Sequence, residues 1–386
     1  MPPSEQAYRK ACRKVPVALV NQCVELSHQH ARSDKDELYE GMRVLLADGT
    51  KLIVPRTPET IAEYGLSRGK VGEAYYPQVH AGAILDLVTG TFREVNLEHG
   101  VPSERAMLLE HATHNKERSL YVIDAGYNGM AQLYQMSLSG HQVLMAYKRD
   151  KLVSTFRKSK KRSLIVPITL TRLHLKNYPQ LSYLEGTCFR VRLIRTRGTS
   201  KLPSKILVTT LLDEQKYDWR KLAMLYLQRW NIELAFRHLK SKLRIEHIRK
   251  RSLHRIRQLL LAAIVYFNLS AIIRNNESAL QLFPRKNNIK VLCFSFVLEL
   301  ADCFIRAAVK AWHGMITQLR QMLHAIRHCW FLYDPWRIRP KICQFPPSVF
   351  TRRKSTQIKQ EFAKCQAVRD ELILLGIKYG QIDSYP

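Results

Sequence analysis

The sequence has little negative charge and no paired cysteines. Its 386 residues include 62 Lys and Arg but only 32 Asp and Glu, which gives a net charge of +30. This imbalance is typical of proteins that bind polyanions, nucleic acid first and a membrane surface second. The eight cysteines form no C-x-x-C pair and no Cys/His ligand spacing, so neither a zinc site nor a disulfide framework is predicted. Thiols of this kind fit a reducing cytoplasm.

Long hydrophobic runs are also missing. The apolar run at residues 259–273 contains Asn268 and Ser270 and is shorter than the roughly 20 residues that a bilayer requires. It is therefore predicted to be a buried helix, and we expect no membrane partner. No internal repeat is visible, and an apolar fraction of 46% is ordinary for a globular protein.

Four polar residues are spaced along one helical stretch, residues 222–243. Tyr226, Arg229, Glu233 and Lys240 follow one another at intervals of three, four and seven. Because an α-helix turns about 100° per residue, all four project from one narrow stripe. A neighbouring apolar face predicts that a single helix packs by one side and presents the polar stripe on the other. Ordinary ion pairs on a solvated helix would show similar spacings, so the stripe alone does not establish a site.

Two aspartates follow short strand-like runs. Asp48 is predicted to end a strand at residues 44–47, and Asp124 ends a β-rich run at residues 119–123. Each has a structural alternative, a hairpin turn for the first and a helix cap for the second. The predicted order β, β, β, α, β, α, β, insertion, α lets both converge with Glu233 over one edge of a mixed sheet. Three converging carboxylates suit Mg²⁺, which prefers oxygen ligands.

Basic residues concentrate in two segments. Residues 148–162 hold eight basic residues and one acid, including Lys160, Lys161 and Arg162, and lead into short β-like runs that reach residue 210. Arg237 opens a second basic stretch that continues to residue 257. A charged loop is solvated by default, but beside the overall charge both segments are predicted to contact DNA phosphates.

Together these motifs resemble a known enzyme family. The polar stripe matches the Tyr-x-x-Arg-x-x-x-Glu-x-x-x-x-x-x-Lys signature of bacterial insertion-sequence DDE transposases of the insertion-sequence-four-like group. Asp48-Gly49-Thr50 resembles the first aspartate motif of that family, and Asp124-Ala125-Gly126-Tyr127 resembles the second. The similarity runs from about residue 4 to residue 274. The signature together with both aspartate motifs in order is specific, whereas any one element would be weak.

The resemblance implies an α/β fold, a ribonuclease H-like mixed-sheet core with a β-rich insertion and helical flanking regions. It implies DNA cleavage and strand transfer with two Mg²⁺ or Mn²⁺ ions. The catalytic and metal-binding residues would be Asp48, Asp124 and Glu233. Tyr226, Arg229 and Lys240 would grip DNA phosphates beside the scissile bond. The partners would be inverted-repeat ends and target DNA, bound by a homodimer in the bacterial cytoplasm at the nucleoid.

The predicted division of the chain has five parts. These are a helical region at 1–40, shortened relative to the DNA-end-binding region of relatives; the first part of the core at 41–147; a basic β-rich insertion at 148–212; the second part of the core with the signature helix at 213–275; and a C-terminal helical region with a basic tail at 276–386.

Ile206 stands where some relatives place a tryptophan that stacks a flipped base, so the resemblance does not carry over their hairpin route. A metal-dependent nuclease without strand transfer and a non-catalytic DNA-binding derivative remain alternatives.

Overall fold

A mixed eight-stranded sheet organises the part of the chain that is described. The computed structural model describes residues 5–33, 38–69, 72–98, 104–127, 129–147, 151–159, 161–196, 205–243, 245–246 and 248–275, and beyond them residues 290–292, 317, 330–332, 360 and 363. The strands of the sheet are β1 (Arg43–Ile53), β4 (Gln78–Asp86), β5 (Phe92–Glu98), β6 (Ser119–Ile123), β7 (Gln142–Ala146), β8 (Ser163–Thr169), β9 (Cys188–Arg195) and β10 (Ile206–Thr209). Two short antiparallel pairs lie outside it, β2 (Arg68–Gly69) with β3 (Gly72–Glu73) and β11 (Lys290–Leu292) with β12 (Trp330–Leu332).

Helices connect and cover these strands. They are α1 (Glu5–Lys14), α2 (Val17–Ala31), α3 (Pro58–Tyr64), α4 (Glu104–His114), α5 (Met130–Leu138), α6 (Lys151–Lys158), α7 (Arg172–Leu175), α8 (Trp219–Leu227), α9 (Trp230–Ser241) and α10 (Leu253–Asn275). Two 3₁₀ turns occupy Ala125–Tyr127 and Pro179–Leu184. The predicted C-terminal helical region with its basic tail, at 276–386, falls almost wholly outside the described residues.

The strand order β5-β4-β1-β6-β7-β10-β9-β8 confirms the α/β mixed-sheet class. β1 pairs antiparallel with β4 and parallel with β6, and β6 pairs parallel with β7. The antiparallel strands thus run directly into parallel strands joined through helices, which is the mixed sheet that the sequence predicted. The strands at 163–209 extend this sheet, because β10 pairs antiparallel with β7.

The two faces of the sheet bury different layers of helices. Side chains alternate along a strand, so Val44 and Leu46 pack with residues of α8, α9 and α10, whereas Leu45 and Ala47 pack with residues of α4 and α5. The even-numbered residues of β1 therefore face the helices of the predicted signature. The same alternation places Leu120 and Val122 of β6 on that face.

Helix α10 corrects the length argument made for residues 259–273. The helix begins at Leu253, and the stretch from Leu253 to Ile273 is long and apolar enough to cross a membrane by length and composition, with half of its most apolar window buried. It packs against α2 and β5. Its fully buried Asn268 donates from Nδ2 to the Phe92 carbonyl and accepts from the Phe92 amide, each at 2.8 Å. These contacts support the prediction of a buried core helix.

Candidate active site

Strand β1 runs straight through Asp48 instead of ending before it. The Asp-Gly pair suggested a strand end, but β4 provides antiparallel partners for β1 along its length, with Asp48 opposite Ala83 and Gly49 opposite Gly82. The parallel pairing with β6 is what stops, at Ala47 opposite Ile123. Asp48 is thus the first residue of β1 that no longer pairs with β6.

Asp124 follows the last residue of β6, so the two aspartates leave the same parallel pair side by side. The chain turns at once into the 3₁₀ turn, where the Gly126 amide donates to Asp124 Oδ1 at 2.5 Å. Arg105 of α4 donates from Nε and Nη2 to the Gly126 carbonyl at 3.0 and 2.7 Å. The turn that carries Asp124 is therefore tied to the N-terminus of α4.

The predicted signature helix is two helices. α8 ends at Leu227 and α9 begins at Trp230, and the residues between them make 3₁₀-type bonds, Gln228 N to Leu225 O and Arg229 N to Tyr226 O at 3.0 and 3.2 Å. Helical periodicity could not reveal this break because no Gly or Pro marks it. The apolar face was predicted correctly, since Ile232, Phe236 and Leu239 are buried.

Arg229 lies at this break and joins two of the predicted catalytic carboxylates. Its Nη2 is 2.5 Å from Glu233 Oε1, and its Nη1 is 3.6 Å from Asp48 Oδ2. The Arg229 side chain is only 9% exposed, against 18% for Asp48 and 32% for Glu233. A guanidinium excluded from water between two carboxylates lowers the energy of both charges. Arg229 thus acts as an internal counter-ion for this end of the sheet.

The charge on Asp48 is nevertheless unfavourable. Burial raises the pKa of Asp48 to about 6, and repulsion from Asp124 and Glu104 adds to the increase. Two groups oppose this increase in pKa. They are the Gly49 amide, which donates to Asp48 Oδ1 at 2.8 Å, and the Arg229 guanidinium. The effect of Asp124 on this pKa agrees with the adjacent positions of the two aspartates.

Glu104 is a carboxylate of this region that the sequence analysis missed. It is the first residue of α4, and its side chain lies against Gly49, directly after Asp48. Burial raises the pKa of Glu104, and the neighbouring Asp124 carboxylate raises it further. Tyr127 lies in the same region, 1% exposed. An acidic residue in the first turn of a helix is so common that no sequence signal set Glu104 apart.

The other stripe residues differ in their exposure. Tyr226 is buried at 4% exposure in the core beside Arg229, so its hydroxyl does not lie on the surface in this conformation. Lys240 and Arg237 line a groove of about 340 Å³ that starts at Glu233. The groove is lined by Thr50, Glu233, Phe236, Arg237, Lys240, Ser241 and Glu246.

The basic cluster before β8 is remote from these carboxylates. Lys160 lies outside the described residues, and Lys161 and Arg162 are exposed just before β8, the edge strand of the sheet. Five strand spacings separate β8 from β1, which amounts to about 24 Å at roughly 4.8 Å each. The Arg162 guanidinium lies 5.9 Å from the centre of the Trp219 ring. The structure does not bring this cluster to the Asp48 edge.

The carboxylates match a hard divalent cation in their chemistry. In the described part of the chain, no three Asp, Glu, His or Cys side chains lie close enough together to share a metal ion. The donors available beside Asp48 are carboxylate oxygens, which Mg²⁺ and Mn²⁺ prefer. A cation would also relieve the repulsion that raises the pKa of Asp48. The donor set therefore fits such an ion once Arg229 releases the carboxylates that it holds.

Comparison with known proteins identifies the class. Residues 39–269 match the family model described as the transposase DDE domain, which is more than half of the chain. The chain therefore belongs to the DDE transposase domain family, as its motifs predicted.

A curated relative is the transposase InsG for insertion sequence element IS4 of Escherichia coli (strain K12). It is 23% identical over 214 residues, which cover 55% of this chain and 47% of the relative. The chain thus spans about half the length of that relative. Among solved structures, a piggyBac transposase synaptic complex with hairpin DNA aligns with a TM-score of 0.43 and 12% identity, over 74% of this chain and 57% of that one.

Proposed function

We propose that this protein is a DNA transposase that cleaves at inverted-repeat ends and transfers the freed strand into target DNA. The main support is the gathering of Asp48, Asp124 and Glu233 at one edge of the sheet, where Arg229 links the first to the last. The net charge of +30 suits a DNA partner. Action as a homodimer in the bacterial cytoplasm at the nucleoid belongs to the same proposal.

Asp48, Asp124 and Glu233 would hold two divalent cations, Mg²⁺ or Mn²⁺. Ions held by these residues would supply activation of the attacking oxygen and stabilisation of the leaving oxygen in an in-line displacement. The role of Arg229 in this proposal is an exchange of partners. Its guanidinium, now held between Asp48 and Glu233, would turn to a DNA phosphate, which frees both carboxylates for the cations. Tyr226 would reach DNA only after the same rearrangement, because it is buried beside Arg229.

The groove beside Glu233 would hold the DNA backbone. Arg237 is exposed and Lys240 is half-buried along it, so both cations can face a phosphate a short distance from the scissile bond. Lys161 and Arg162, at the far edge of the sheet, would contact DNA away from the reacting phosphate. Lys160 is assigned to the same distant contact from its sequence position alone.

An excision assay in cells tests the proposal. A donor plasmid would carry the gene with its native flanking DNA, and both the excised site and new insertions would be counted. We expect excision and reinsertion with the natural sequence. Cleaved ends that are never joined would instead favour a nuclease of the same fold, and the absence of both products would favour a non-catalytic DNA-binding derivative.

Replacing Lys240 with Ala should weaken DNA binding. Removing one phosphate contact is expected to reduce affinity by about 3- to 10-fold near 100 mM salt and to lower the slope of log affinity against log salt by about 1. Fluorescence anisotropy over a salt series measures both quantities. The control is Lys116→Ala, which removes the same charge just after α4 ends, at the opposite end of β6 from Asp124. This variant should change neither the DNA affinity nor the salt slope. Equal effects from both variants would exclude a specific contact at Lys240.

A further inference from the structure

Two glycines allow the N-terminus of α4 to approach the sheet closely. Gly49 of β1 and Gly82 of β4 lie opposite each other in the antiparallel ladder. Since Leu45 and Ala47 pack with α4 residues, alternation directs position 49 toward the same helix. A Cβ at position 49 would lie 2.6 Å from Glu104 Cδ, and one at position 82 would lie 2.8 Å from Met107 Cε. Glu104 therefore occupies the space that any other residue at position 49 would fill.

The charges of Lys51 and Arg105 favour the Glu104 carboxylate, but burial and the Asp124 carboxylate still raise its pKa on balance. Within the described chain, no hydrogen bond or ion pair is found for its carboxylate. Arg105 directs its guanidinium to the Gly126 carbonyl, and Arg229 compensates Asp48 and Glu233. A partly buried carboxylate beside two others without a paired cation is unfavourable. Its neighbours Asp48 and Asp124 both belong to the proposed metal site.

The hydroxyl of Tyr127 is a second, independent observation. Tyr127 is 1% exposed, and its Oη has no hydrogen-bond partner in the described part of the chain. Burial raises the pKa of Tyr127 well above its usual value, and repulsion from Glu104, Asp48 and Asp124 acts in the same direction. This hydroxyl therefore lies in the field of the same three carboxylates. Buried hydroxyls are rarely left unpaired, and a water held by a cation among those acids would donate a hydrogen bond to the Tyr127 oxygen.

We propose that Glu104 is a fourth carboxylate of the centre and joins Asp48 and Asp124 in binding a divalent cation before DNA arrives. The inference rests on the proposed function, because it assigns this cation to the same site. It also accounts for Gly49, whose missing side chain admits the Glu104 carboxylate. Arg229 forms no ion pair with Glu104 or Asp124 in the described structure, and its 3.6 Å contact with Asp48 is longer than its 2.5 Å contact with Glu233. Release of Asp48 alone would therefore let these three acids take a cation while Arg229 still holds Glu233. No three acids in the described part of the chain are close enough to share an ion as they stand, so these side chains must rotate to bind it.

The test measures Mn²⁺ binding to the DNA-free protein by titration, with electron paramagnetic resonance of the free ion as the readout. Glu104→Gln should weaken Mn²⁺ binding about tenfold or more. Glu110→Gln, an exposed glutamate of the same helix, should leave it within about twofold, and Asp124→Asn should remove it. Thermal melting without metal checks that each variant is folded.

The outcomes separate the two proposals. Loss of binding in Asp124→Asn with retention in Glu104→Gln would overturn the role of Glu104 and leave the proposed metal site intact. Wild-type affinity in Asp124→Asn would overturn both. No Mn²⁺ binding by the DNA-free natural sequence would overturn only the inference about Glu104, because the exchange of partners proposed for Arg229 requires DNA.

Gly49→Ala supplies a second variant that leaves every acid in place. The added methyl group should displace the Glu104 carboxylate and weaken Mn²⁺ binding to a similar degree. If both changes act through one contact, the double variant should be no weaker than Glu104→Gln alone. Additive losses would show that the two residues act separately and would contradict the proposal.

Discussion

Replacing Glu233 with Gln is expected to reduce DNA strand cleavage on the order of 10³-fold or more while DNA affinity stays within about twofold. Glutamine keeps the length of the side chain and can still accept a hydrogen bond from Arg229. It lacks the negative charge that a divalent cation requires. Because DNA affinity comes mainly from Lys and Arg contacts to phosphates, loss of one acid in a basic protein should scarcely weaken it.

Glu246→Gln is the matched control for this experiment. Glu246 lines the same groove as Glu233 and loses the same charge, but it is exposed and makes no contact with Arg229 in the described structure. Cleavage of a labelled inverted-repeat duplex in Mg²⁺ and in Mn²⁺ compares the two variants, and anisotropy gives their DNA affinity. Cleavage by Glu233→Gln within about tenfold of the natural sequence would exclude Glu233 as a catalytic metal ligand.

The parts of the fold that were predicted well are those that depend on local sequence. Strand β6 was predicted at residues 119–123 and has those bounds, and the apolar run at 259–273 was predicted to be a buried helix and lies within α10. Each has an apolar pattern that agrees with its final environment, so propensity and packing favour the same structure.

Two errors near the site arose where long-range pairing overrode a local signal. Asp48-Gly49 carries the pattern of a turn, yet the ladder with β4 keeps both residues extended because Gly82 stands opposite Gly49. The helix break occurs at Arg229, whose side chain reaches Asp48 on a neighbouring element. Sequence spacing correctly predicted that Arg229 and Glu233 are close, but not that a strand residue shares the guanidinium.

Glu104 and Tyr127 show why part of the candidate site could not be predicted. Glu104 is distinguished by neither spacing nor motif, and Tyr127, although it ends the second aspartate motif, received no role of its own from the sequence. Their significance comes from contacts across α4, β1 and the 3₁₀ turn, which connect residues more than 50 positions apart. The basic cluster illustrates the converse, since charge density predicted DNA contact for Lys161 and Arg162 but could not place them about 24 Å from Asp48.

Asp48→Asn is expected to stabilise the metal-free protein at neutral pH. Because burial raises the pKa of Asp48 from 3.8 to about 6, the folded state binds this proton more tightly than the unfolded chain. The contribution of Asp48 to the free energy of unfolding therefore falls as pH rises from about 4 through about 6 and stays low above that range. At about 1.4 kcal/mol per pKa unit, the asparagine variant should gain about 2 to 3 kcal/mol in the free energy of unfolding at pH 7.5. Its melting temperature should then be higher by about 5 °C or more.

The difference in melting temperature between Asp48→Asn and the natural sequence isolates this carboxylate from all other titrating groups. It should be small at pH 4, close to the ordinary pKa of this carboxyl, and should grow to its full value above pH 6. Saturating Mg²⁺ should reverse the order at pH 7.5, because a bound cation stabilises only the protein that keeps its ligand. A difference in melting temperature that is constant from pH 4 to 8 would mean that the Asp48 charge does not destabilise the folded state. A residue whose charge opposes folding, and which folding nevertheless places beside Asp124 and Arg229, is one that function rather than stability has positioned there.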